Sequence, residues 1–179
     1  MLKQAGLDLT ILRPSVIFGE RDRFLNLFAS LLGILPVMPL AGAEARFQPI
    51  YVDDVVRAFV NALDNQDTFG KIYELAGPRI YSLRELVQLA GSYAGHARPV
   101  IGLPPALAKL QALLLEFAPG GPLMSRDNLD SMKADNVAHS PIAAELGITP
   151  TPLEAIAPQY LGDAGTHSHF DQYRVRAKR

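Results

Sequence analysis

The sequence contains no cysteine and only four histidines. Disulfide bonds, thiol catalysis and thiolate-bound metals are therefore excluded, and a reducing compartment is compatible with the composition. His167 and His169 are the one close pair of candidate metal ligands in the sequence. Because a metal site normally needs at least three protein ligands, this pair near the end of the chain predicts no metal centre.

Long runs of one charge and glycine-rich nucleotide loops are also missing. The 179 residues carry a formal net charge of −1, which predicts no nucleic-acid-binding surface. Neither Gly-x-Gly-x-x-Gly nor a Walker-type loop occurs, so the sequence offers no phosphate cradle of its own. The N-terminus lacks a long apolar segment and carries Asp8, unlike a secretory signal. We expect a cytoplasmic protein.

The segment 24–43 contains no charged residue, which raises the question of membrane contact. A membrane-spanning helix needs about 20 predominantly apolar residues, and prolines and glycines interrupt this segment. We predict a helix over 23–32, capped by Asp22 and ended by Gly33, then a proline-rich loop over 34–46. This helix would form the wall of a pocket in a soluble domain; contact with a membrane surface is the alternative.

Strands and helices alternate along the rest of the chain. Apolar runs predict short strands at 7–12, 47–52, 71–76 and 99–103. Helical spacing predicts helices over 54–65, 83–94, 104–117, about 126–131 and from 152 onward. Pro14 should stop the first strand, and Pro49 makes the second an edge or irregular strand. The alternation indicates an α/β protein with parallel strand pairing.

Several helix starts carry recognisable capping residues. Two Ser/Thr-x-x-Glu patterns, Ser82–Glu85 and Thr151–Glu154, predict capping boxes. Asp53 or Asp54 would cap the helix that follows, whose residues Val55, Val56, Phe59, Val60 and Leu63 have helical spacing. The two aspartates are also a candidate carboxylate pair for catalysis, but capping explains them more simply.

The Arg13-Pro14-Ser15 turn follows the first predicted strand. Ligands of open α/β sheets bind in the crevice at the carboxyl ends of the strands. A turn at this place offers main-chain N–H and C=O groups with which a planar amide can pair, and Pro14 makes it rigid. An ordinary exit from strand to loop is the alternative interpretation.

Three segments resemble extended and atypical short-chain dehydrogenase/reductases, the superfamily of NAD-dependent epimerases and dehydratases. They are Leu-Asp-Leu-Thr-Ile-Leu-Arg-Pro-Ser-Val-Ile-Phe-Gly at 7–19, the "V-x-D-V-A"-like segment at 47–59, and the strand and helix at 72–86. The segment Gly19–Phe28 is similar to the subgroup that contains the NAD(P)H-binding accessory subunit of respiratory complex I. The resemblance covers about residues 1–160.

The resemblance implies a fold and a domain organisation. Residues 1–162 would be the C-terminal part of a Rossmann-type doubly wound parallel sheet, with a smaller, mostly helical substrate lobe formed by 23–46 and 98–135. The half of the family fold that carries the glycine-rich loop would be absent, and residues 163–179 would be a disordered tail.

The resemblance also implies a binding site. Pro14, Ser15 and Val16 would flank the nicotinamide carboxamide of NAD or NADP, and Arg46 would face the substrate cleft. The catalytic Tyr-x-x-x-Lys pair of the superfamily does not occur in the sequence, so we assign no catalytic residue. We expect this chain alone to bind the dinucleotide weakly or not at all.

Three hypotheses follow. The first is the substrate-side half of an NAD(P)-binding epimerase, dehydratase or dehydrogenase that acts on an unidentified small molecule. The second is a non-catalytic assembly protein that docks on a respiratory complex or a membrane face through segment 24–43. The third is a start codon assigned too far downstream. An unpaired edge of the first strand would favour binding of the missing half or formation of a homodimer.

Overall fold

The computed structural model describes residues 9–104, 106–108 and 134–162, and in them short strands alternate with helices. The strands are β1 (Ile11–Pro14), β2 (Ile17–Phe18), β3 (Met38–Leu40), β4 (Arg46–Phe47), β5 (Ile50–Tyr51), β6 (Ile72–Leu75), β7 (Tyr81–Ser82) and β8 (Val100–Gly102). The α-helices are α1 (Phe24–Ile34), α2 (Val52–Leu63), α3 (Leu83–Tyr93) and α4 (Leu153–Leu161).

Pairing between these strands is mostly parallel. β1 pairs with β6, β2 with β5 and β3 with β8 in parallel, whereas β4 and β7 are antiparallel. Parallel strands need a crossover connection, and the chain between the paired strands β1 and β6 contains α2. The predicted α/β class with parallel pairing is confirmed. The predicted helix at 126–131, most of that at 104–117 and the tail 163–179 lie outside the described residues.

Two hydrophobic clusters hold these elements together. The larger one, which we call the lobe core, joins α1, α3 and α4 through buried side chains that include Leu32, Leu86 and Leu161. The smaller one, the sheet core, packs Val55, Ala58 and Ala62 of α2 against Tyr73 and Leu75 of β6. Packed side chains of the sheet core therefore support the C-terminal ends of β1 and β6.

The uncharged segment 24–43 is largely part of the lobe core. α1 begins at Phe24, one residue later than predicted, and the Asp22 carboxylate accepts a 2.6 Å hydrogen bond from the Leu25 amide. The helix ends at Ile34 instead of before Gly33, and β3 lies in the predicted loop. The loop prediction was wrong because pairing with β8 makes 38–40 a strand despite Pro39. Among the described residues, no helix is long and apolar enough to cross a bilayer.

β1 continues through Pro14, although the sequence predicted that this proline stops the strand. The amides of Ile11 and Ser15 donate to carbonyls of Lys71 and Leu75, so every second residue of β1 directs its hydrogen-bonding groups toward β6. Pro14 lies between such positions, and its nitrogen faces away from β6. The missing N–H therefore interrupts no bond of this pair.

The predicted cap of α2 was wrong. Tyr51 is the N-cap residue, without a side-chain capping bond, and both aspartates lie inside the first turn. Asp54 is fully buried and accepts hydrogen bonds from the amide and the hydroxyl of Thr151, at 2.6 and 3.2 Å. The Asp54 carboxylate, which the sequence pattern predicted as a helix cap, therefore makes a long-range contact instead.

The two predicted capping boxes have opposite outcomes. Ser82 and Glu85 form the box at the start of α3, with both reciprocal bonds present. At α4, Pro152 is the N-cap residue and makes no side-chain capping bond. There Thr151 contacts Asp54, and Glu154 accepts a 2.8 Å hydrogen bond from the Tyr81 hydroxyl. The second box was therefore a wrong prediction, because both side chains have partners distant in sequence.

Candidate functional site

A small cleft lies where the C-terminal ends of β1 and β6 meet. Its volume is about 140 Å³, and three segments line it: Arg13–Ser15, Glu74–Ala76 and Asn136–Ala138. The predicted turn thus lies at the carboxyl edge of a parallel strand pair, where α/β proteins bind ligands. Neither Glu74 nor Asn136 was predicted, because each reaches the cleft from a distant part of the chain.

The turn that follows β1 is held by hydrogen bonds on several sides. The Ser15 amide donates to the Leu75 carbonyl at 2.9 Å, and the Val16 carbonyl accepts from the Ile50 amide at 2.9 Å. The Ser15 hydroxyl donates to the Asn136 carbonyl at 3.1 Å. The positions of Pro14, Ser15 and Val16 are therefore fixed by β6, β5 and residue 136.

Residues 134–138 cross the cleft as a strap. The Asn136 amide donates to the Arg46 carbonyl at 2.8 Å, and its carbonyl accepts from the Gln48 amide at 3.1 Å. The Gln48 side chain bonds to the Ala138 amide and to the Gly77 carbonyl, at 3.0 and 2.7 Å. Gln48 therefore ties the strap to the chain that leaves β6.

Arg46 is exposed on β4 and lies opposite Ser82 of β7. It is not among the residues that line the 140 Å³ cleft. Asn136 connects it to Ser15, because the Asn136 main chain bonds to both residues. Its predicted role toward a substrate stays a prediction.

A carboxylate with several partners lies at one wall of this cleft. Glu74 accepts a 2.8 Å hydrogen bond from the His139 amide and lies 3.1 Å from the His139 ring nitrogen Nδ1. The bond from the His139 amide, more than any other cause, lowers the pKa of Glu74, and the charge of Arg13 acts in the same direction. Glu74 is therefore anionic at neutral pH.

A larger cavity of about 620 Å³ opens beside the next part of the same loop. It is lined by the segments Ile17–Asp22 and Tyr51–Asp53. A hydrogen bond to Asp53, followed by burial, raises the pKa of Tyr51, so this phenol is neutral. Asp22 is held by the Tyr160 hydroxyl at 2.8 Å in addition to the Leu25 amide. The cavity has room for a small polar molecule.

The turn can be tested for its fit to a nicotinamide. A primary carboxamide needs one acceptor and one donor. The hydrogen-bonding alternation in β1 directs the Pro14 carbonyl away from β6, and the Val16 amide has no partner among the described residues. An acceptor and a donor are thus present two residues apart, and this end of the dinucleotide fits. No glycine-rich loop for its phosphates occurs in the sequence.

The parallel strand pairs, the crossover helix and the cleft at the strand ends define a Rossmann-type α/β protein. Residues 1–76 match the model of the NAD-dependent epimerase/dehydratase family. The resemblance to this family that the sequence predicted is confirmed over that segment.

Comparison with known proteins extends the likeness beyond residue 76. The chain is 34% identical over 151 residues to the rat protein NADH dehydrogenase [ubiquinone] 1 alpha subcomplex subunit 9, mitochondrial, which covers 82% of this chain and 40% of the relative. It is 28% identical over 166 residues to the mitochondrial NADH-ubiquinone oxidoreductase 40 kDa subunit of Neurospora crassa, covering 92% of this chain and 44% of that one.

A solved structure has the same fold. The nucleoside-diphosphate-sugar epimerase of Staphylococcus aureus superposes with a TM-score of 0.61 at 18% identity, over 90% of this chain and 54% of that one. At this identity the likeness shows the fold alone. The chain spans less than half of the two mitochondrial relatives and about half of this epimerase.

Proposed function

We propose that this chain is the substrate-side half of an NAD(P)-binding protein of the epimerase/dehydratase type. In this proposal the turn Pro14–Val16 holds the nicotinamide carboxamide. One observation carries it: a rigid turn at the carboxyl end of a parallel strand presents the Pro14 carbonyl and the Val16 amide without partners among the described residues. The family match over residues 1–76 supports the choice of a nicotinamide dinucleotide as ligand.

Each residue of the turn has a separate role in this proposal. The Pro14 carbonyl accepts from the carboxamide N–H₂ group, and the Val16 amide donates to its oxygen. Ser15 fixes the turn, because both its amide and its hydroxyl bond to neighbouring chain segments. Arg46 faces the substrate from β4. The bound nicotinamide supplies the capacity to accept or donate hydride.

The chain is proposed to be non-catalytic as it stands. Reactions of this type need an acid or base within hydrogen-bonding reach of the reacting hydroxyl. The superfamily's Tyr-x-x-x-Lys pair does not occur in the sequence, and Tyr51 of the 620 Å³ cavity is hydrogen-bonded to Asp53 and has a raised pKa. The chain therefore contributes binding and orientation only.

The lobe boundaries are part of the same proposal. Residues 23–46 and 98–135 form the substrate lobe of a domain that covers 1–162. The pairing of β3 with β8, which joins the two segments, supports it.

A titration with nicotinamide ligands tests this function. Reduced nicotinamide mononucleotide and NADPH are added separately to the chain, and the nicotinamide fluorescence is followed. We expect both to bind with about the same dissociation constant, between about 1 and 10 mM, because the adenylate half of NADPH finds no phosphate cradle. ADP-ribose, which lacks the nicotinamide, is the control and should not compete.

Three results would contradict this proposal. Low-micromolar binding of NADPH would mean that the chain holds the whole dinucleotide. Competition by ADP-ribose would mean that the nicotinamide is not the group that binds. Absence of nicotinamide binding at about 10 mM, a free energy weaker than about −3 kcal/mol, would mean that this turn does not bind the carboxamide.

A second function is that of an accessory component of a respiratory complex or its membrane. The observation in its favour is the 34% identity over 82% of the chain to a subunit named for NADH dehydrogenase. Leu31 and Leu35 are partly buried against the lobe core, whereas Ile34 at the end of α1 is 80% exposed. Ile34 is therefore the most exposed large apolar residue of this segment and the best candidate for contact with a partner.

Substitution of this residue tests the second function. We expect the chain to cosediment with respiratory membranes and Ile34→Glu to reduce the bound fraction at least fivefold. The control Gln88→Glu changes an exposed residue of α3 by the same charge and should bind normally. Equal binding of both variants, or no cosedimentation of the unsubstituted chain, would reject the proposed docking through segment 24–43.

A further inference from the structure

A further cavity lies beside the 140 Å³ cleft. Its volume is about 490 Å³, within the range of about 300–1,000 Å³ that is typical of small-molecule sites. Ala76 and Ala138 line both spaces, whereas the turn Pro14–Val16 does not line this one. We call it the proline cavity, because proline and isoleucine form most of its wall: Pro78, Ile80, Pro141, Ile142, Ile148 and Pro150.

The wall of the proline cavity carries very little charge. No Asp, Glu, Lys or Arg occurs among the described residues that line it, whereas Glu20, Arg21 and Asp53 line the 620 Å³ cavity. The His139 side chain, which does line the proline cavity, is 88% exposed, and its Nδ1 lies against Glu74 outside the wall. Since an unpaired charge is costly to bury, this wall favours a neutral ligand.

The main chain of Ala76 adds a donor and an acceptor without partners to this wall. Ala76 directly follows β6 and is 4% exposed. The Leu75 carbonyl accepts from the Ser15 amide, and the Gly77 amide donates on the same side of the chain. The Ala76 amide and carbonyl lie between these groups and point to the other side, and neither has a partner among the described residues. Buried main-chain groups are normally paired, so these two are available to a ligand.

The Gln48 side chain also lines the cavity, but the protein itself engages it. Its carboxamide accepts from the Ala138 amide at 3.0 Å and donates to the Gly77 carbonyl at 2.7 Å. These bonds fix one part of the wall, and the prolines stiffen the rest because their φ angles are restricted. The cavity is therefore preformed, and the Ala76 main chain is the group in it that can recognise a ligand.

We propose that the proline cavity binds a neutral, planar ring molecule that contains a cyclic amide. The Ala76 amide donates to the carbonyl oxygen of this lactam, and the lactam N–H donates to the Ala76 carbonyl. Opposite residues of antiparallel strands exchange two hydrogen bonds in the same way. A lactam suits this pair because its N–H and C=O lie on one edge of the ring, while the proline and isoleucine side chains enclose the apolar remainder. This site is separate from the proposed nicotinamide site and does not depend on it.

Binding of carbostyril, a neutral bicyclic lactam, tests this inference. We expect it to bind with a dissociation constant of about 1 mM or tighter and to shift the Ala76 amide resonance in a ¹H–¹⁵N NMR titration. N-methylcarbostyril lacks the N–H and should bind at least about tenfold more weakly, because the Ala76 carbonyl stays unpaired. Its isomer 4-methylcarbostyril has the same size and an intact N–H, and it should bind like carbostyril.

A substitution in the wall gives a second measurement. Ile80 lines the cavity, is 38% exposed and belongs to neither hydrophobic cluster. Ile80→Glu should weaken carbostyril binding at least about tenfold, because it places a charge that needs hydration in an apolar wall. The control Gln66→Glu changes an exposed residue outside the cavity by the same charge and should bind normally. Circular dichroism should show the same helix content in both variants.

Four results would overturn the inference. They are an Ala76 resonance that does not move, shifts at Val16 in its place, equal binding of the two methyl isomers, and equal binding by a folded Ile80→Glu variant. Shifts at Val16 would place the lactam in the turn proposed for the nicotinamide. Because the two methyl isomers are compared on the unsubstituted chain, their comparison decides the question even if Ile80→Glu does not fold.

Discussion

Substitution of Asp54 by alanine is expected to lower the free energy of unfolding by about 3 kcal/mol. The carboxylate is fully buried and accepts from the Thr151 amide at 2.6 Å and from the Thr151 hydroxyl at 3.2 Å. Arg57, which lies 3.4 Å away, is mostly exposed. Hydrogen bonds to charged groups contribute about 1.5–3 kcal/mol each, and their loss would leave the Thr151 amide without its partner.

Asp53→Ala is the matched control for this substitution. Asp53 is exposed and lies in the same first turn of α2, so both variants remove the same favourable charge from the helix N-terminus. That effect alone amounts to about 0.3–1 kcal/mol. Urea denaturation of the two variants measures the difference. If both variants lose equal stability, Asp54 acts only on its helix and does not fasten residue 151.

Gly77→Ala is expected to destabilise the fold by more than about 3 kcal/mol or to prevent folding, in the range of substitutions that force the main chain apart. A Cβ atom at residue 77 would overlap the carbonyl oxygen of Pro49, which is main chain and cannot rotate away. The Gly77 amide and carbonyl also bond to Gln48, which holds the strap over the cleft. Gln48 and the strap therefore connect residue 77 to the turn Pro14–Val16.

Gly70→Ala is the control that distinguishes the effect of this steric overlap from the cost of a side chain on a left-handed backbone. Gly70 has a φ of +74°, and a Cβ there would meet nothing within 4 Å. Left-handed backbone costs about 1–2 kcal/mol in a residue with a side chain. Thermal unfolding of the two variants should place Gly77→Ala well below Gly70→Ala. Equal midpoints would mean that Pro49 moves aside and that the close approach has no energetic weight.

Local pattern predicted the elements whose signals lie within one turn or one strand. The Ser82–Glu85 box is formed as predicted because both of its bonds are between neighbours in sequence. The strand at 71–76 appears as β6 for the same reason: its apolar run lies between a glycine turn and Gly77-Pro78. Resemblance to a family supplied the rest of the fold class, which fold comparison supports.

Long-range contacts account for the elements that local pattern missed. Thr151 has the sequence of a helix cap, yet the buried Asp54, 97 residues away, binds it. The strap was missed because the Ser15 contact to Asn136 joins residues 121 positions apart. On α2 the spacing of apolar residues predicted a helix correctly. It could not indicate that Val55 packs on the sheet while Val56, Phe59 and Val60 stay exposed.

The candidate site also has one part that the sequence predicted and another that only the structure shows. The position of Arg13–Ser15 at the end of a strand was predicted from the sequence, and the structure places it in a cleft. Glu74 and Gln48 carry no motif, and only the fold shows that they line or fix that cleft. The roles of Pro14, Ser15, Val16 and Arg46 stay predictions, which a ligand titration can decide.

The most direct measurement of the central claim is a residue-resolved ¹H–¹⁵N NMR titration of the chain with NADH. We predict that the amide resonances of Ser15 and Val16 shift progressively with NADH and equally with reduced nicotinamide mononucleotide, while ADP-ribose leaves them unchanged. Amides of α3, which lies in the lobe core, are the internal control. Shifts confined to other residues, or shifts of Ser15 and Val16 with ADP-ribose, would contradict the assignment of this turn to the nicotinamide.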